Sequence, residues 1–212
     1  MKDNKEKLLA ILFFGSIWGI FEASIGYVLH LLPTFIAGTI MFPIGMTILI
    51  AAYSKLKSRN ALLGVAAVAM AIKSIDFLLP NIILFKTLNP MIAILLEGAF
   101  VAVLIPFIMN SKVTKKFIGI IGASLLWRSA FVIMMFMQFG FTGSIAKYLA
   151  TPALIIGFVI VNGLISALIG IMINALQTIT AREFGNVRFV PFKSRFITVT
   201  SLFVALLLTY IL

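Results

Sequence analysis

The sequence contains no cysteine. Disulfides and thiolate metal centres are therefore excluded. Histidine occurs once, at His30, and one imidazole cannot by itself build a zinc or copper site. Charge is scarce: acidic and basic residues together make up 11% of the chain, against about 25% in a typical soluble domain. The chain carries no ATP-binding motif, nucleophile elbow, His-rich metal set or paired acidic metal motif. These absences point away from an enzyme, a cofactor or a resident metal. An integral-membrane enzyme is less supported than either transport reading considered below.

What remains is apolar. Hydrophobic residues account for 62% of the 212 positions, and the mean hydropathy is +1.19. Such a chain reads as an all-α integral membrane protein, a compact bundle of six to seven transmembrane helices forming a single domain over 1–212. The first apolar run is too long for a cleavable signal and lacks a small-residue cleavage pattern. The spans fall at about 8–31, 38–53, 61–79, 90–109, 117–138, 152–177 and 196–212. Pro33 and Pro80 end the first and third. Pro43 inside the second predicts a kink or break. Asn89-Pro90 gives a helix start, a cap residue followed by proline in the first turn. That leaves Asn81–Leu88 as a partly buried loop. The last run is barely long enough to cross a thin bilayer. No internal repeat is evident.

A net charge of +11 invites a nucleic-acid reading, but the cations sit in short connections between apolar runs. Alternate connections hold Lys2, Lys5 and Lys7; Lys55, Lys57 and Arg59; Lys112, Lys115 and Lys116; and Arg182, Arg188, Lys193 and Arg195. The opposite set holds Lys86 and Lys147. Basic excess marks the cytoplasmic side. The N-terminus is therefore expected in the cytoplasm, with the chain as a multi-pass protein of the cell (cytoplasmic) membrane. Its expected partners are the lipid bilayer and a small-molecule solute, with no nucleic acid.

Five ionisable groups lie within the spans: Glu22, Lys73, Asp76, Glu97 and Arg128. On insertion scales a charge at mid-membrane costs roughly 2.5–3.5 kcal/mol, so five left unpaired would cost on the order of 12–17 kcal/mol. The inferred orientation puts all five between the midplane and the outer face. Lys73 and Asp76 are three residues apart and can pair on one helix face. Glu22 or Glu97 can meet Arg128, whose fork suits a carboxylate. One reading makes these inert ion pairs between helices. The other makes them the lining of an outward pocket for a small polar solute, with Asn162 adding orientation. Ser124 and Ser166 lie at compatible depth. Tyr27 and Trp127 would supply a wall, and Leu32–Ala37 with Asn81–Leu88 a lid. His30 reads as a surface or capping residue. Balanced charge suggests a zwitterionic or mixed-polarity solute.

The first span also carries a small-residue stripe, Gly15-Ser-Ile-Trp-Gly19-Ile-Phe-Glu-Ala23, of the kind that lets another helix approach closely. Compact apolar helices, about 200 residues, an N-terminus inside and an outward polar pocket resemble the substrate-capture (S) components of energy-coupling-factor transporters. The resemblance covers about Leu8 to Thr178. It implies capture of a vitamin, precursor or similar nutrient, with uptake driven through a transmembrane coupling subunit and two ATPases. It also implies a partner interface at Gly15, Gly19 and Ala23. The seventh apolar run departs from the usual six. The alternative transport reading is a self-sufficient ion- or proton-coupled carrier, with Glu22, Glu97 and Asp76 as proton sites. A retinal protein, with Asp76 as counter-ion to Lys73, conflicts with both residues lying on one span.

Overall fold

A computed structural model describes residues 2–30, 36–79, 84–143, 149–183 and 194–211. Among these residues the secondary structure is helical and there are no strands. The elements are α1 (Lys2–Phe21), α2 (Tyr27–His30), α3 (Ile36–Leu56), α4 (Arg59–Lys73), α5 (Leu84–Ile108), α6 (Val113–Thr142), α7 (Pro152–Ile156), α8 (Asn162–Glu183) and α9 (Arg195–Ile211). π-helical turns at Glu22–Gly26 and Gly157–Val161 join α1 to α2 and α7 to α8. A 3-10 turn, Ser74–Leu78, continues α4. Six of the resulting rods are long and apolar enough to cross a membrane, and the 17-residue α9 is a shorter apolar helix. This is the make-up of a multi-pass membrane protein.

The helices close a ring in the order α1, α4, α5, α6, α8, α3 and back to α1. α3 is the most buried span and also leans on α4 and α5. Its neighbours bury Phe42, Met46 and Leu49 from three sides. The close approaches use glycine. A methyl group at Gly98 would lie 2.4 Å from the Ala66 Cβ, which sets the α4–α5 crossing. At Gly45 it would lie 2.7 Å from the Trp18 ring, which sets α1 against α3. Large apolar side chains such as Val103, Ile133, Leu168 and Phe203 point outward, as expected where the surrounding solvent is hydrocarbon. α9 lies outside the ring, packed along α1, and buries Thr198, Ala205 and Thr209.

Three expectations change. α3 runs unbroken through Pro43, whose carbonyl accepts from the Thr47 hydroxyl at 2.8 Å. α5 begins at Leu84, so Leu84–Leu88 is helix and not loop, and Pro90 sits inside the helix instead of at its start. α6 is 30 residues long, about 45 Å at 1.5 Å per residue, and extends beyond both expected ends. The proposed lid segments 32–35 and 81–83 lie outside the described residues. So do Lys147, Arg188, Lys193 and the side chains of Tyr27, His30 and Arg182.

Candidate solute-binding cavity

At the end of the bundle where α2 stops and α3 and α5 begin, the ring encloses a cavity of about 250 Å³. Glu22 enters from the π turn after α1. Ala37, Gly38 and Met41 come from α3, and Trp127 and Phe131 from α6. Phe158 comes from the second π turn, and α5 gives Phe85, Lys86, Asn89, Ala93, Ile94 and Glu97. Spacing explains the α5 wall. Asn89, Ala93 and Glu97 recur every fourth residue and so share a face, with Glu97 deepest. Lys86 is exposed, which places the rim at the protein surface.

Both carboxylates are buried, with 7% exposure at Glu22 and 4% at Glu97. They are close enough for their charges to act on each other. Glu22 Oε1 accepts a long hydrogen bond, 3.3 Å, from the Trp18 indole N–H. The helix widens into a π turn at this residue, a distortion often found at functional sites. Before it, α1 spends its small residues on α4; at it, the helix turns a carboxylate into the cavity. Glu97 Oε2, the Asn89 amide oxygen and Trp127 Nε1 are buried without a hydrogen-bond partner. Unsatisfied buried polar atoms are uncommon in folded proteins, and here three of them belong to residues that line one void.

Arg128 is fully buried directly behind this wall. Its Nη1 donates to the Ser124 carbonyl at 2.9 Å and the Ser124 hydroxyl at 2.8 Å, and its Nη2 donates to the Gly38 carbonyl at 3.0 Å. The Ser124 hydroxyl in turn donates to the Gly163 carbonyl at 2.8 Å, tying α6 to α8. The guanidinium carbon sits 4.5 Å from the centroid of the Trp127 ring and 5.8 and 5.9 Å from those of Phe42 and Phe158. Desolvated cation–π contacts of this kind contribute about 2 kcal/mol. The expected contact with a carboxylate does not form. Arg128 is within electrostatic range of Glu97 but not in ion-pair contact.

The other candidates divide. Lys73 Nζ and Asp76 Oδ2 form an ion pair of 2.7 Å at the tightened end of α4, within electrostatic range of Glu22 but outside the cavity lining. Asn162 is half-buried and also outside the lining. Ser166 is buried with its hydroxyl unpartnered. Of the six expected solute contacts, Glu22 and Glu97 therefore line the cavity. The expected partner stripe is in contact with the chain itself. A methyl at Gly15 would fall 2.5 Å from the Val68 Cβ and one at Gly19 2.7 Å from Ile72, both on α4, and Ala23 is buried. No metal-binding group of three or more His, Cys, Asp or Glu occurs among the described residues.

Sequence reasoning missed Asn89, Phe131 and Phe158 in the cavity wall, whereas Phe85 falls within the expected lid Asn81–Leu88. The eight-residue spacing of Asn89 and Glu97, two helical steps of four, was a usable signal. The aromatic residues offered none, because they look like the chain's other phenylalanines. Compared with protein-family models, curated proteins and solved structures, the chain matches none.

Proposed function

We propose that the protein captures a small polar nutrient from outside the cell and hands it on for uptake across the cytoplasmic membrane. The observation that carries this reading is the cavity. Two buried carboxylates, Glu22 and Glu97, and the side chains of Asn89 and Trp127 line a void of about 250 Å³ at one end of an apolar bundle. Glu97, Asn89 and Trp127 each hold a polar atom without a partner, and leaving such groups unpaired costs about 1–3 kcal/mol each. Apolar and aromatic walls with a few converging polar groups are the usual composition of a small-molecule site.

The resemblance to the capture components of energy-coupling-factor transporters supplies the rest of the proposal. Uptake is driven by a transmembrane coupling subunit and two ATPases, since the chain carries no ATP-binding motif. α4 fills the Gly15–Gly19 face, so the coupling subunit meets another surface of the bundle. The second reading, a self-sufficient proton-coupled carrier, is favoured by the two carboxylates sharing one cavity. Uptake into liposomes that contain this chain alone, driven by an imposed proton gradient, would select it.

Native mass spectrometry of the purified protein tests the capture reading. A small molecule is expected to travel with the wild type and to be lost or strongly depleted in Glu97→Gln. Equal retention by both proteins would remove the solute from this cavity.

A further inference from the structure

The cavity is not evenly charged. Arg128 turns its Nη atoms to Ser124 and Gly38, and Lys73 is engaged by Asp76. Within the cavity wall, the acidic groups are the buried Glu22 and Glu97 and the basic group is the exposed Lys86 at the rim. Water screens a rim charge, while charges in the desolvated interior act at nearly full strength. Lys73 and Asp76 offset each other, and the two carboxylates outnumber the buried Arg128 behind the wall, so the deep end favours a positive group.

The rest of the wall describes what that group is attached to. Trp127 packs edge-on to Phe131 and Phe158, with centroid separations of 6.2 Å in both pairs. Phe85 adds a fourth ring to the lining. These rings pack against one another and present an aromatic wall to the cavity, against which a flat unsaturated body can lie, and aromatic faces attract cations. The free acceptors, Glu97 Oε2 and the Asn89 amide oxygen, call for N–H donors. The free donor, Trp127 Nε1, calls for one acceptor.

We infer that the captured solute is an organic cation, a flat ring system bearing a protonated amine or amidine-like nitrogen that is received between Glu22 and Glu97. This rests on the capture reading and narrows it. It also replaces the zwitterionic solute that balanced charges suggested, because neither Arg128 nor Lys73 is among the residues that line the cavity.

Three indole probes of similar shape separate the possibilities at pH 7: tryptamine (cationic), tryptophol (neutral) and indole-3-acetate (anionic). Binding to the purified full-length chain is measured by equilibrium dialysis against matched detergent blanks. Tryptamine is expected to bind at least about tenfold more tightly than tryptophol, with indole-3-acetate weakest. Glu97→Gln is expected to weaken tryptamine about tenfold and leave tryptophol unchanged. Tryptophol or indole-3-acetate binding as tightly as tryptamine would overturn the cationic assignment and leave solute capture standing. Failure of all three to bind at millimolar concentration would contradict both. If Glu97→Gln does not fold, Glu22→Gln serves in its place, and the wild-type ranking decides by itself.

Discussion

Arg128 shows how a residue that reads as a ligand contact becomes a brace. Its two Nη atoms tie α6 to the start of α3, and Ser124 extends the tie to α8. Lysine keeps the charge but lacks the planar fork. Arg128→Lys is therefore expected to lose about 1–3 kcal/mol of stability, seen as a thermal midpoint lower by about 5 °C in detergent. An unchanged midpoint would mean that the fork does not brace the bundle. The sequence made this side chain conspicuous, since a cation in an apolar span is costly wherever it points. It did not reveal its direction. Two backbone carbonyls and a hydroxyl engage its Nη atoms in place of a carboxylate, leaving Nε without a partner, and carbonyls carry no sequence signal. Lys73 and Asp76 were more legible, because their partner lies three residues away on the same helix. Glu22 and Glu97 were legible as costly groups, and the void they share was not.

Apolar run length located each of the six rods long enough to span a membrane, since hydrophobic continuity over about 20 residues is what a spanning helix requires. Proline was the weaker guide. Pro43 and Pro90 both lie inside continuous helices, because neighbouring helices and Ser or Thr side chains re-satisfy the freed backbone in membrane proteins. The two π turns were invisible, as one extra residue in a turn leaves composition unchanged. Small residues were visible, but not what they pack against. Gly98 is decisive for the α4–α5 crossing. Gly98→Ala puts a methyl 2.4 Å from the Ala66 Cβ, an overpacking expected to cost about 1–3 kcal/mol. Gly140 has nothing within 4 Å of the same position. Gly140→Ala is expected to be neutral or to add up to about 1 kcal/mol through helix propensity. Thermal unfolding of the two variants side by side checks this. Equal midpoints would mean that the helices have room to part.

Across the whole molecule, an apolar ring of helices keeps a polar void at one end, with Glu22 and Glu97 deep and Lys86 at the rim. In the proposed orientation that end faces outside the cell, and nutrient capture requires water to reach it from there. The absence of cysteine makes this directly measurable with single introduced thiols. Ala93 lies on the cavity face of α5 between Asn89 and Glu97. Val103, on the same helix, is 62% exposed on the outside of the bundle, where lipid would cover it. The decisive measurement is labelling of Ala93→Cys and Val103→Cys in intact cells by a membrane-impermeant, cationic methanethiosulfonate. The account predicts rapid modification of Ala93→Cys and none of Val103→Cys. An unreactive Ala93→Cys, or one that reacts only after the cells are opened, would contradict it.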